Sequence, residues 1–339
     1  MASKKLGGKT IAFSSPPAVA GFAGVVGKKE GEGPLAAYFD LIGQDDTFGE
    51  TSWEKAESTM QRLALQTALN KAGHPSAALD YLFAGDLLNQ CIASSFAARE
   101  QNIPFLGLYG ACSTMAESLA LASMAVDGGF ASLAAAVASS HFCSAERQYR
   151  TPLEYGGQRT PTAQWTVTGA GAVVLSQEGQ GPYITHATIG RIVDKGIKDA
   201  NNMGAAMAPA AFDTISSHFS DTGRRPSDYD LILTGDLGHL GKELLLDLFH
   251  ADGIEFSNLE DCGTLIYDRQ RQDVHCGGSG CGCSAAVLTG YLLKGMQKGR
   301  WKRLLFCGTG ALLSPTSTMQ GESIPGICHA VAISNSKGG

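Results

Sequence analysis

Ala78-Leu79-Asp80-Tyr81-Leu82-Phe83-Ala84-Gly85-Asp86-Leu87 reads like Asp228-Tyr229-Asp230-Leu231-Ile232-Leu233-Thr234-Gly235-Asp236-Leu237 further along the chain. Each stretch follows a helical pattern and a polar turn and closes an apolar strand on Gly-Asp-Leu. The two aspartates lie 150 residues apart. A second pair of stretches repeats the relation. Gly110-Ala111-Cys112-Ser113 with its helix, the turn Asp127-Gly128-Gly129 and a strand at 133–139 parallel Gly280-Cys281-Gly282-Cys283-Ser284, a helix over 285–296, the turn Lys298-Gly299-Arg300 and a strand at 304–308. The spacing is 150 residues at the aspartates and 170 at the glycine turns Gly110 and Gly280; self-similarity over such long stretches marks a duplicated unit, so the chain divides into two homologous halves, 1–175 and 176–339. Helices alternating with short apolar strands require buried, mostly parallel sheets covered by helices, which sets the class as α/β.

The helix pattern is clearest over 53–72, where Met60, Leu63, Ala64, Thr67 and Ala68 share one stripe; Gly73 closes it and Pro75 follows. Thr51 or Ser52 caps its start, with Glu54 and Glu57 near the positive end of the helix. The stretch 141–164 is polar and Arg-rich and is read as a long loop, a length that tends to be functional.

Composition narrows the function. The 339 residues are 44% hydrophobic and 17% charged, which fits a compact globular protein. With 26 Lys and Arg against 32 Asp and Glu, the net charge is −6 and the basic residues form no run beyond pairs such as Arg224-Arg225. Nucleic acid is therefore not an expected partner. The apolar strings fall short of the roughly 20 residues that a membrane span requires. Nine cysteines, mostly inside apolar strings, read as reduced, buried thiols. The first 27 residues lack the continuous apolar core of a secretion signal, so synthesis is expected in the cytoplasm.

Gly110-Ala111-Cys112-Ser113-Thr114 links an apolar strand at 105–109 to a long helix. A thiol on such a turn faces unpaired N–H groups and the positive helix end, which lower its pKa and favour a nucleophile. The duplicated halves and this elbow resemble the thiolase and ketoacyl synthase superfamily, and Met203-Gly204-Ala205-Ala206-Met207-Ala208-Pro209-Ala210 resembles the thiolase motif Met-Gly-x-Gly-Pro-x-Pro-Ala. Nearly the whole chain resembles the stage V sporulation protein AD (SpoVAD) family. The resemblance is carried by Gly85-Asp86-Leu87-Leu88-Asn89-Gln90, Gly110 to Thr114, Ser139-Ser140-His141, Ala145-Glu146-Arg147-Gln148, Glu154-Tyr155-Gly156-Gly157-Gln158, Gly277-Gly278-Ser279-Gly280-Cys281, Thr309-Gly310-Ala311-Leu312-Leu313-Ser314-Pro315 and Glu322-Ser323-Ile324-Pro325.

The resemblance implies a thiolase-like fold: two pseudo-repeated halves, each with a mixed, mostly parallel five-stranded sheet, layered α-β-α-β-α. It also implies binding of pyridine-2,6-dicarboxylic acid (dipicolinic acid, DPA) or its calcium chelate and a part in its uptake into the developing spore. The protein would sit peripherally on the inner membrane beside membrane-embedded SpoVA subunits, and the superfamily implies a twofold homodimer. No cofactor and no metal is implied. The alternative is an acyl-transfer enzyme using Cys112. Against it, the thiolase histidine position falls on Ser279, and the cysteine of the thiolase Cys-x-Gly-Gly-Gly motif falls on Phe306. Cys307 lies one place along, hence on the other face of its strand. The region after Ser140 is also too short for the loop domain that covers coenzyme A in thiolases. His141 and His275 remain as imidazoles near the motifs.

A dicarboxylate on a flat ring calls for cations or N–H groups at both ends of an apolar slot. The candidate ligand-binding residues are Cys112, Ser113, His141, Arg147, Arg150, Ser279 and Ser284, with Arg159 and Arg191 as further guanidinium groups near the predicted mouth. Asp86 and Asp236 are read as turn formers that hold backbone amides.

Overall fold

The computed structural model describes residues 4–149 and 159–338. In the first half, strands β1 (Ala18–Val26), β2 (Tyr81–Gly85), β3 (Phe105–Gly107), β4 (Leu133–Ser140) and β5 (Gly169–Ser176) form a sheet ordered β1-β5-β4-β2-β3. The second half repeats the order with β6 (Tyr183–Thr188), β7 (Leu231–Thr234), β8 (Leu259–Asp261), β9 (Arg303–Ala311) and β10 (Gly326–Ser334), arranged β6-β10-β9-β7-β8. In each sheet one strand, β5 or β10, runs against the other four. The two sheets meet in register at one pair, Tyr183 opposite Ala18.

Helices complete five layers. Among them are α1 (Trp53–Ala72), α2 (Ile92–Gln101), α3 (Thr114–Asp127), α4 (Phe142–Tyr149), α5 (Met203–Thr222), α6 (Gly238–Ala251) and α7 (Cys281–Val287). α1 and α2 cover the outer face of the first sheet, and α5 and α6 cover the outer face of the second. α3 and α7 are sandwiched between the sheets and touch both.

Strand alternation builds this arrangement from the sequence. Along β4, Ala134, Ala136 and Ala138 face the central layer while Leu133, Ala135 and Val137 pack under α1. Along β9, Leu304 and Phe306 face inward while Leu305 and Cys307 pack under α5. The period of two places neighbours on opposite faces. Small side chains let the helices approach closely: a Cβ on Gly282 would lie 2.4 Å from the Gly169 carbonyl oxygen and 2.7 Å from the Ser140 nitrogen.

Helix α1 begins and ends where its sequence signals lie. Ser52 accepts from the Lys55 N–H at 3.4 Å, and Gly73 takes φ 76°. Two stretches differ from expectation. Residues 142–149 are not loop but the helix α4, whose Phe142 ring stacks on Trp165 at 3.9 Å. The helix expected over 285–296 starts at Cys281 and carries a wide turn at Leu288–Leu292 before resuming at Leu293–Gln297. Among the described residues no helix is long and apolar enough to cross a membrane.

Candidate functional site

β3 ends at Gly107, and the chain turns sharply into α3. Ala111 sits at φ 50°, a left-handed conformation disfavoured for any residue with a Cβ. The turn is held by the Ser113 hydroxyl donating to the Gly110 carbonyl at 2.7 Å and the Thr114 hydroxyl donating to the Ala111 carbonyl at 2.7 Å. Cys112 is thereby fixed at the junction of the two halves.

Its surroundings reverse the expected electrostatics. The thiol is buried and faces the Asp236 carboxylate, the Ser279 hydroxyl and the Gly280 N–H. Burial, and then the Asp236 charge, push its pKa well above the usual thiol value, outweighing the N–H groups that lower it. Cys112 is a protonated thiol that donates toward a carboxylate. Asp236 itself accepts from the Gly280 N–H at 2.8 Å, the Ser279 hydroxyl at 3.2 Å and the Thr309 hydroxyl at 2.9 Å. Burial still raises its pKa to about 6.

Cys112 and Ser279 open into a cleft of about 640 Å³, its open mouth included. One wall is α4, through Ala145, Glu146 and Tyr149. The opposite side is formed by Ala200, Asn201, Met203, Ala311 and Leu313, and Leu87, Ala111 and Thr166 complete the lining. The surface is mostly apolar, with Ser279, Thr166, Asn201, Glu146 and the thiol as polar points, a composition typical of small-molecule sites. Tyr149 is anchored by donating to the Leu87 carbonyl at 2.5 Å, and its oxygen lies 2.7 Å from the Tyr109 hydroxyl. Gln148 braces the same turn, donating to the Leu87 carbonyl at 3.1 Å and accepting from the Asn89 N–H at 3.0 Å.

Of the residues singled out in the sequence, the fold brings Cys112 and Ser279 to this cleft. Ser113 and Ser284 turn back on their own helices, Ser284 donating to the Cys281 carbonyl at 3.3 Å. His141 is buried at the end of β4. One ring nitrogen lies 2.6 Å from the Asp46 carbonyl and must donate to it, while the other accepts from the Cys143 N–H at 3.2 Å. The ring is neutral, and burial lowers its pKa. Arg147 pairs with Glu54 and lies over the Trp53 ring, on the side of α4 that faces α1. Arg159 pairs with Asp273 at 2.9 Å and Arg191 with Asp213 at 2.8 Å. Arg150 and the Glu154 to Gln158 string lie outside the described residues. Among the described residues, no lysine or arginine lines the cleft.

The two Gly-Asp-Leu aspartates have diverged. Asp86 does hold backbone amides, accepting from the Leu88 and Ser94 N–H groups at 2.9 Å each. Asp236 also holds a backbone amide, the Gly280 N–H at 2.8 Å, but it faces the thiol as well. Its sequence signal was the repeat itself, because the copy of a residue that ends one strand at the site ends the matching strand in the other half. Glu57, placed by the sequence near the positive end of α1, is fully buried, with Ser139 and Ser144 as partners.

Comparison with known proteins adds sequence and fold relations. A family model described as Stage V sporulation protein AD (SpoVAD) matches residues 7–334. Stage V sporulation protein AD of Bacillus subtilis (strain 168) is 46% identical over 336 residues, covering 99% of each chain. Among solved structures, 3-oxoacyl-[acyl-carrier-protein] synthase III from Aquifex aeolicus VF5 superposes with a TM-score of 0.58 at 13% identity, over 94% of this chain and 99% of that one. An OleA variant from Xanthomonas campestris gives 0.62 at 14% identity, over 98% and 99%. At these identities the structural likeness concerns the thiolase-like fold.

Proposed function

The chain belongs to the stage V sporulation protein AD family, and from that membership we propose that it is a non-catalytic binding protein for dipicolinic acid or its calcium chelate. In this reading it serves uptake of the ligand into the developing spore, held peripherally at the inner membrane by membrane-embedded SpoVA subunits. The observation that supports the reading is the cleft at Cys112, whose lining is mostly apolar with hydroxyl, amide and thiol groups among it, a composition that suits a flat ring with polar substituents. A carboxylate beside the thiol, where acyl transfer needs a base and oxyanion donors, supports binding over catalysis. Glu146 in the lining and Asp236 behind the thiol suit a ligand whose charge is offset by calcium. The outer edge of β3, with Leu106 and Tyr109 each 44% exposed, is the edge we assign to a twofold dimer.

Calorimetric titration with DPA, with and without equimolar calcium, tests the reading, with benzoate and acetyl-CoA as controls. Saturable DPA binding is expected, weakened at least tenfold in Cys112→Ala and Ser279→Ala. Absence of DPA binding together with acylation of Cys112 by a thioester would return the protein to the acyl-transfer enzymes.

A further inference from the structure

Beneath α4 lies a polar cluster that makes no contact with the cleft. Gln61 of α1 donates one amide hydrogen to the Ser94 hydroxyl at 2.8 Å and the other to the Ser139 hydroxyl at 2.7 Å. Each serine passes its own hydrogen to a carboxylate: Ser94 to Asp86 at 2.6 Å, Ser139 to Glu57 at 2.8 Å. All five side chains are buried. The chain of bonds is closed at both ends by an acid.

The two acids are not equivalent. Asp86 accepts from the Leu88 N–H, the Ser94 N–H and the Ser94 hydroxyl, three donors that suit a carboxylate anion. On Glu57, one oxygen takes the Ser139 hydroxyl, and the other lies 3.1 Å from the Ser144 hydroxyl oxygen. That hydroxyl is also 3.2 Å from the His141 carbonyl. A serine has one hydrogen to give. If it goes to the carbonyl, the link to Glu57 requires the hydrogen to come from Glu57. Two neighbouring buried carboxylates also cannot both ionise cheaply, so one proton shared between them belongs on the acid with fewer donors.

We propose that Glu57 is a positioning residue for the cleft: as the neutral acid it donates to Ser144 and pins the first turn of α4, the helix whose Ala145, Glu146 and Tyr149 form one cleft wall. Burial first, and then the Asp86 charge, raise the Glu57 pKa to about 8. The titratable and charged groups on the surrounding elements leave that state in place. Asp86 closes β2, His141 is neutral and tied to Asp46, and Glu54 and Arg147 pair with each other. Cys281 of α7 is a protonated thiol donating to the Ser139 carbonyl at 2.9 Å. Raising the pH through 8 therefore puts a second negative charge under α4, and the Ser144 hydroxyl must leave the His141 carbonyl to meet it, which loosens the first turn of the helix.

The experiment is amide hydrogen exchange over 142–149, read as protection relative to free peptide at each pH, on ligand-free wild type, Glu57→Gln and Glu57→Ala. Wild-type protection should fall about tenfold from pH 7 to 9.5. Glu57→Gln, whose amide still donates to Ser144 and cannot ionise, should stay flat, and Glu57→Ala should be low at every pH or fail to fold. Wild type and Glu57→Gln with the same profile would overturn the proposal. A ligand arm, DPA affinity over the same pH range, rests on the binding reading above and should follow the exchange. Loss of DPA binding with the exchange pattern intact would sink that reading alone.

Discussion

Cys112 occupies a strained elbow at a helix start, yet its thiol is buried against Asp236, and burial with the neighbouring charge keeps it protonated. Replacing Asp236 by Asn keeps an acceptor for the Gly280 N–H and removes the charge. Alkylation of Cys112 by iodoacetamide, followed by peptide mass spectrometry at pH 7.5, should then accelerate by about tenfold, since each pKa unit regained is a tenfold rise in thiolate. An unchanged rate would mean that burial alone suppresses the thiol. Cys112 and Ser279 were legible because motifs name them. Asp236 was legible through the repeat as a strand-end residue, but its place against the thiol was not, and neither was the burial of Glu57, because a carboxylate in a sequence carries no sign of its burial.

Elements with complete end signals were read to the residue, as for α1 between Ser52 and Gly73. Helix α4 escaped notice because its apolar positions, Phe142, Ala145 and Tyr149, are few and its start has no side-chain cap of the usual kind, the chain turning instead on His141 and Ser144. The wide turn in the helix that begins as α7 left no local signal, since it reflects packing between two sheets. That packing also makes α7 intolerant. A methyl on Gly282 meets backbone atoms of β4 and β5, which cannot rotate away as a side chain would. Gly282→Ala is expected to destabilise the protein by roughly 3 kcal/mol or more in urea unfolding; a loss under 1 kcal/mol would show that the central layer can shift.

Across the molecule, opposite families of buried groups set the pH response. His186 and His329, with pKa near 4, and His218, near 3, are held neutral by burial. The unfolded chain binds their protons below about 6.5, so these three lower stability progressively as pH falls from 6.5 toward 3 to 4. Glu30 and Asp261, near 7, Glu57, near 8, and Asp236, near 6, keep protons that the unfolded chain releases above about 4.5. Their effect is to lower stability as pH rises from 4.5 to 6 to 8. Between 4.5 and 6.5 the two families oppose each other. Above 6.5 only the carboxyls act, and above about 8.5 the buried thiols extend the same trend. Urea unfolding should find a plateau near pH 5 to 6 and a loss on the order of a few kcal/mol by pH 8. Rising stability from pH 6.5 to 8 would contradict this accounting.

The near-complete repeat of strand order, joined at the single pair Tyr183 and Ala18, has a consequence for how such a site can arise. Both halves keep a cysteine and a Gly-Asp-Leu aspartate, but the cleft takes its thiol from one, Cys112, and the carboxylate behind it and the serine from the other, Asp236 and Ser279. The Cys281 thiol of the second copy hydrogen-bonds to the Ser139 carbonyl of the first, and the cleft draws lining residues from both. The cleft is thus divided labour between siblings, and neither fragment of a chain cut after β5 would inherit it; only complementation of the two would.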